Sequence, residues 1–135
     1  MDQVNRQFQV MTYDIDFAGI VSNITYIRWL EDLRNLYADE VLSVGDALNR
    51  GIVPALARTE IDYLLPVRFP DTVTGRMWLS ERGRAKFVLS SEFTSRMTGL
   101  ATARAKQIGV FVSQATFHPV PLPDEFKRID PFTMD

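Results

Sequence analysis

One long amphipathic helix followed only by short alternating segments constrains this chain more than any other feature. Between Ile24 and Val41 the apolar side chains recur every three or four residues, which is the repeat of a helix with one buried face. The polar face carries Arg28, Glu31, Asp32, Arg34 and Asp39. A shorter helical segment over 43–50 ends at Gly51, and after it the apolar residues alternate as they do in strands. The helix must therefore pack against a sheet built from those strands.

The strands that we predict lie mostly after the helices. One covers 7–13, and four more cover 52–65, 72–80, 84–95 and 100–113. Short turns join the later strands, so we expect antiparallel pairing. The sequence contains no repeat or linker, and it predicts a single α+β domain over 1–135, in which a curled antiparallel sheet wraps around one long central helix.

The last predicted strand changes the phase of its side chains. Ala101, Ala103 and Ala105 share one phase, whereas Ile108, Val110 and Val112 occupy the other. Either a bulge near Lys106 or Gln107, or burial of both faces, explains this change. Because one helix covers only one face of such a sheet, the free face and edges predict a symmetric homo-oligomer.

Composition excludes several functional classes. The net charge of −2 gives no general attraction to nucleic acid or to anionic membranes. No apolar stretch approaches the length of a membrane span, and the first residues lack the centre of a secretory signal, so we expect a cytoplasmic protein. There is no cysteine, and the one histidine, His118, lies in a proline-rich stretch. Thiolate chemistry, a His-rich metal centre and a Ser-His pair are therefore not expected.

Two acidic residues lie between the first strand and the long helix. Asp14 and Asp16 are followed by Gly19 at a turn, and Ser22 or Asn23 is a suitable N-cap for the helix. A carboxylate beside the first N–H groups of a helix lies where negative charge is stabilised. The same N–H groups would also stabilise an oxyanion that develops during a reaction. Such an arrangement suits attack on a carbonyl. Taken without the surrounding motif, the two acids are better explained by an Asx-turn or a helix cap.

The segment 13–21 resembles a signature of the hotdog-fold acyl-CoA thioesterases, and in particular of the 4-hydroxybenzoyl-CoA thioesterase-like group. Tyr13, an Asp-x-Asp pair, Gly19, an apolar residue and Val21 come in the family's order, and Tyr26 follows five residues later. The likeness continues through Trp29-Leu30-Glu31 and Arg34 in the helix, the last strand and the tail over 119–126, so it covers essentially the whole chain. It implies the hotdog fold and thioester hydrolysis.

The resemblance also implies roles for individual residues. Asp16 is implied as nucleophile or general base on the thioester carbonyl, with Asp14 structural. Backbone N–H groups around Ser22 and Asn23 are implied to polarise the carbonyl oxygen. Gly19 is expected to permit a close backbone approach or a positive φ, and Tyr26 to line the site.

Arg82, Arg84 and Lys86 form a basic cluster that we call the hairpin cations. Three cations within five residues can bind the phosphates of coenzyme A, and a similar basic stretch does so in related thioesterases. An edge strand protected from aggregation by charge explains them equally well. The resemblance implies no metal and no cofactor other than the coenzyme A of the substrate.

Three functions remain open at this point. The first is an acyl-CoA thioesterase that acts as a homodimer or homotetramer. The second is a thioesterase for an acyl carrier protein, whose acidic surface would dock near Arg82. The third is a non-catalytic acyl-binding module, which Asp16 makes less favoured. A hotdog dehydratase is disfavoured because it needs a catalytic histidine and His118 lies in the wrong element, and nucleotide hydrolysis lacks a glycine-rich phosphate loop.

Overall fold

The computed structural model describes residues 3–132 as one antiparallel sheet with a long helix packed on it. The elements in chain order are β1 (Val4–Gln9), α1 (Asn23–Val41), α2 (Val44–Asn49), β2 (Ile52–Tyr63), β3 (Thr72–Arg82), β4 (Lys86–Ser95), β5 (Ala101–Ser113) and α3 (Asp124–Lys127). The strand order is β1-β3-β4-β5-β2, with every neighbouring pair antiparallel. The predicted α+β architecture with one central helix is confirmed. None of the helices in 3–132 has the length and apolarity to cross a membrane.

Helix α1 begins at the capping residue that the sequence indicated. Ser22 has extended backbone angles, and its Oγ accepts the N–H of Thr25 at 3.2 Å, which satisfies one of the free donors at the helix start. The buried face of α1 then follows the predicted apolar repeat. Its buried residues are Thr25, Tyr26, Trp29, Leu30, Leu33 and Tyr37.

Aromatic side chains fill the core between α1 and the sheet in two groups. Near the start of α1, Trp29 stacks on Phe8 at 5.0 Å between ring centroids, and Tyr26 meets Phe93 edge-on at 5.1 Å. The second group lies towards the other end of the sheet, where the rings of Phe87, Phe111 and Phe126 lie 5.1 to 5.4 Å apart. Such pairs add to the free energy gained by burial of the rings.

Several strand ends differ from the sequence-based prediction, including both ends of β1, which covers Val4–Gln9 instead of 7–13. Two of these differences have a clear cause. The first strand ends at Gln9 rather than at residue 13, because the side chain of Asp14 accepts the N–H of Met11 at 2.9 Å and closes a 3-10 turn over Thr12–Asp14. Strand β4 begins at Lys86 rather than at residue 84. The N–H of Gly83 donates to the carbonyl of Lys86 across the turn. Arg84 therefore lies in the turn and not in the strand with Lys86, so the prediction that β4 already includes residue 84 is wrong.

The predicted bulge near Lys106 or Gln107 is wrong. The register between β2 and β5 shifts instead on β2, between Leu56 and Arg58, and β5 keeps one phase through this region. Ile108, Val110 and Val112 lie on the other face, where Val112 is buried, whereas Phe111 is buried on the same face as Ala103 and Ala105. The alternative of burial on both faces accounts for the pattern.

We predict that Gly109→Ala destabilises the protein. Gly109 lies opposite Phe87 in the β4–β5 register, and a Cβ at this position would overlap the Phe87 ring. Overpacking of this kind lowers the free energy of unfolding by about 1–3 kcal/mol, measured by denaturant titration. Gly45→Ala is the control, since a Cβ there meets no atom within 4 Å and a helical Gly-to-Ala change does not destabilise. Equal losses in the two variants would contradict the packing that we describe.

Candidate active site

The loop between β1 and α1 holds the side chain of Asp16 through only one of its two oxygens. Oδ1 accepts the N–H of Ala18 at 2.8 Å and that of Ile20 at 3.4 Å. The N–H of Gly19 donates to the carbonyl of Asp16, and Gly19 has a φ of +78°, a conformation that favours glycine. The predicted Asx-turn is therefore present, but Oδ2 of Asp16 has no hydrogen-bond partner within 3–132. One oxygen therefore fixes the loop, and the other is left without a partner in the described residues.

Asp14 connects this loop to the first turn of α1. Its carbonyl accepts the N–H of Ser22 at 2.9 Å and the hydroxyl of Thr25 at 3.1 Å, and the residue is only 5% exposed. The N–H of Ser22 is thus already bonded within the protein. The N–H groups of Asn23 and Ile24 have no acceptor in the described part of the chain, as expected for the first residues of a helix. Of the two peptides that the sequence indicated, only Asn23 has a free donor.

A cleft of about 360 Å³ brings Asp16, Asn23 and Tyr26 together. The rest of its wall is apolar or aromatic and comprises Ile20, Val21, Tyr63, Leu64, Leu65, Pro66 and Val67. Gly19 and Ser22 shape the adjoining loop without lining the cleft. A carboxylate oxygen, a free amide and an apolar wall are the components needed to bind an acyl group and attack its carbonyl carbon.

Tyr26 lines the cleft as a neutral group. Its hydroxyl is hydrogen-bonded to Thr102 Oγ1 at 3.0 Å, and its ring meets that of Tyr63 at 5.6 Å. Burial raises the pKa of Tyr26 above its usual value, although the bond to Thr102 opposes this shift. The phenol therefore keeps its proton near neutral pH, which fits the expected lining role.

The segment that follows β2 forms most of the apolar wall, and the sequence analysis missed it. Leu64 and Leu65 both donate their N–H groups to the carbonyl of Thr102, and the N–H of Val21 donates to the carbonyl of Val67, so the segment is fixed beside the start of α1. The available signal was the apolar run Leu64-Leu65-Pro66-Val67, which continues beyond the strand.

The hairpin cations lie far from this cleft within one chain. Strand β3 starts beside the cleft segment and ends at Arg82, so its ten residue steps separate the two by roughly 34 Å. Arg84 and Lys86 are exposed, and Arg82 donates its Nε–H to the carbonyl of Ile129. The cation beside the cleft is Arg68, which forms an antiparallel bridge with Ile20. Its signal in the sequence was a basic residue directly after the Leu64–Val67 run.

No metal centre accompanies these groups in residues 3–132, where no three His, Asp or Glu side chains are grouped so that they could hold an ion.

Comparisons with known proteins identify the family and the fold of this chain. A family model described as the thioesterase-like superfamily matches residues 10–129. No curated protein sequence matches the chain. Among solved structures, a DHNA-CoA thioesterase from Staphylococcus aureus superposes with a TM-score of 0.83 at 20% identity, over 94% of this chain and 85% of that one.

Two further similar structures contain coenzyme A or one of its esters. A mutant of 4-hydroxybenzoyl-CoA thioesterase, in complex with 4-hydroxybenzoyl-CoA, has a TM-score of 0.84 at 21% identity over 94% of this chain and 98% of that one. A Staphylococcus aureus protein in complex with CoA has a TM-score of 0.85 at 16% identity over 93% and 79%. These likenesses show that the chain has the hotdog fold of those thioesterases.

Proposed function

Because this chain belongs to the thioesterase-like superfamily, we propose that it is an enzyme that hydrolyses acyl-CoA thioesters to a free acid and CoA. One observation carries the proposal: the unbonded Oδ2 of Asp16 and the unbonded N–H of Asn23 belong to residues that line the same cleft. The carboxylate supplies an attacking or proton-accepting oxygen. The amide supplies a donor for the carbonyl oxygen as it becomes negative.

Two routes are compatible with this pair of groups. In the first, Oδ2 of Asp16 attacks the thioester carbon, the C–S bond breaks, the CoA thiolate leaves and is protonated by solvent, and water then hydrolyses the acyl anhydride. In the second, Oδ2 accepts a proton from a water that attacks the same carbon, and this proton passes to the departing thiolate. In both routes the N–H of Asn23 stabilises the tetrahedral oxyanion, an interaction worth about 3 kcal/mol.

Two similar structures support coenzyme A as the carrier of the acyl group, because one contains CoA and another contains an aromatic acyl-CoA. The wall of Tyr26, Tyr63 and Leu64 to Val67 accepts an apolar or aromatic acyl group. An acyl carrier protein is the alternative substrate, and a non-catalytic acyl-binding module is the alternative function.

We infer that two copies pair through β2 and that each completes the coenzyme A site of the other. Strand β2 is an edge of the sheet and the longer of the two edge strands. Symmetric antiparallel pairing places the Ile52 end of one β2 beside the Tyr63 end of the other. The hairpin cations of one copy then lie at the same end of the joint sheet as the cleft of its partner. In this pairing the hairpin cations can bind the phosphates of a coenzyme A held in the partner's cleft, although they lie far from the cleft of their own chain.

We predict that Asp16→Asn lowers kcat/KM by at least ~100-fold, measured as thiol release from a panel of aromatic, short and long acyl-CoAs. Asn keeps the shape of the side chain and the hydrogen bonds of Oδ1 but removes the base or nucleophile. Asp39→Asn is the matched control, since Asp39 is exposed on α1 and does not line the cleft. Full activity of Asp16→Asn would contradict the mechanism, and turnover of carrier-bound acyl groups alone would indicate the alternative substrate.

We further predict that two impaired variants restore activity when they are mixed. One variant is Asp16→Asn and the other combines Arg84→Ala with Lys86→Ala. Arg84 and Lys86 are exposed, and their side chains form no hydrogen bond or salt bridge within 3–132. After subunit exchange, half of the dimers are mixed and each mixed dimer has one intact composite site. Activity should therefore recover to about a quarter of that of the unmutated protein. Failure to recover, in a sample that light scattering shows to be dimeric, would contradict the shared site.

A further inference from the structure

A second cavity lies between the C-terminal half of α1 and the sheet. Its volume is about 270 Å³, and it shares no lining residue with the Asp16 cleft. Its apolar wall includes Ala38, Leu42, Val53, Leu89, Phe111 and Phe126. Because a cavity of about 150 Å³ is sufficient for benzene, this one has room for a substituted ring or a short chain.

Two polar side chains in this cavity have no partner. Tyr37 is 1% exposed, and its hydroxyl forms no hydrogen bond within 3–132. Nη1 of Arg34 is also buried and also forms no hydrogen bond within these residues. The two residues line the cavity from the same face of α1, three positions apart. Most buried polar groups in proteins are hydrogen-bonded. Two unpaired donors in one cavity therefore indicate that an acceptor from outside the chain belongs there.

The protonation states of these groups define the acceptor. Burial raises the pKa of Tyr37 to about 12, so the phenol keeps its proton at neutral pH. Burial lowers the pKa of Arg34, but an arginine remains charged in proteins, and nearby Glu31 opposes the shift. Glu31 also lines the cavity, but it is exposed and forms no salt bridge with Arg34 in the described residues. A cation and a neutral donor side by side call for an anionic acceptor.

We propose that this cavity binds the carboxylate of a small and otherwise apolar organic acid. The carboxylate accepts hydrogen bonds from Arg34 and Tyr37, and the apolar part of the ligand packs on Leu89 and Phe111. Two sources supply this chemistry. One is a free acid, which is the class of product that the proposed reaction releases. The other is an acyl group with a second carboxylate at its far end, which would span roughly 16 Å along α1 from Asn23 to Arg34 and rests on the proposed function.

Calorimetric titration with benzoate and hexanoate tests the free acid. Binding is measured on the unmutated protein and on Asp16→Asn, so that this arm does not depend on turnover. Tyr37→Phe should weaken binding about 10-fold or more, and Arg34→Met should weaken it further. Arg28→Met, which changes an exposed arginine on the same helix, should leave binding unchanged. Benzamide, which has the same ring without the charge, should not compete.

The Tyr37→Phe variant distinguishes a loss of acid binding from a loss of folded structure. Since the hydroxyl that it removes has no partner, the melting temperature of the free protein should stay the same or rise while acid affinity falls. The carboxylate site would be contradicted if Tyr37→Phe lowered the melting temperature of the free protein and Arg28→Met lost as much acid affinity as Tyr37→Phe does.

A second arm compares acyl-CoAs of equal length that end in a carboxylate or in a methyl group. A selective loss of kcat/KM for the carboxylate-ended esters in Tyr37→Phe identifies the acyl group as the source. Binding of free acids without such selectivity identifies the free acid. If the free acids do not bind and Tyr37→Phe does not distinguish carboxylate-ended from methyl-ended esters, the proposal is overturned. Activity that depends on Asp16 would still support the proposed function in that case.

Discussion

The functional half of this molecule depends on the hydrogen bonds that join Asp14 to the start of α1. Its carbonyl accepts the Ser22 N–H and the Thr25 hydroxyl, and its carboxylate accepts the N–H of Met11. These bonds fix the direction in which the chain enters the helix. They also use the Ser22 donor, so that the first free amide belongs to Asn23. The adjacent loop then places Asp16 against the same cleft.

In the proposed mechanism the two acids of the motif divide the structural and the chemical role between them. In the described residues each carboxylate accepts hydrogen bonds through one oxygen only, Oδ2 in Asp14 and Oδ1 in Asp16. Asp14 is 5% exposed and its carbonyl also bonds to the start of α1, whereas Asp16 lines the cleft. A carboxylate that is partly committed in this way is held in one orientation without losing its reactive oxygen. Such preorganisation lowers the cost of reaching the transition state, since no group has to reorient during the reaction.

Periodicity alone predicted the elements, because α1 buries one face and most strands bury one face more than the other, and the spacing of apolar residues indicates that face. It failed where a side chain or a distant partner decided the outcome. The bond of Asp14 to Met11 ended β1 early, since such local bonds compete with strand pairing. Arg34 was assigned to the polar face of the helix, yet its Nη1 is buried beside a cavity that exists only once the sheet is in place. The family motif predicted a role for Asp16, which stays a prediction, but no local motif could give the distance from Asp16 to the hairpin cations, because the whole topology sets it.

The most direct test of this account is to remove the backbone N–H of Asn23, the first free donor at the start of α1. Asn23 is the first residue of the helix, where proline is well tolerated, and Ser22 before it already has the extended angles that proline requires. Asn23→Pro removes the N–H, whereas Asn23→Ala removes only the side chain. The account predicts that kcat for acyl-CoA hydrolysis falls about 10²–10³-fold in Asn23→Pro and far less in Asn23→Ala, with both variants equally folded. Equal kcat values in the two variants would contradict it.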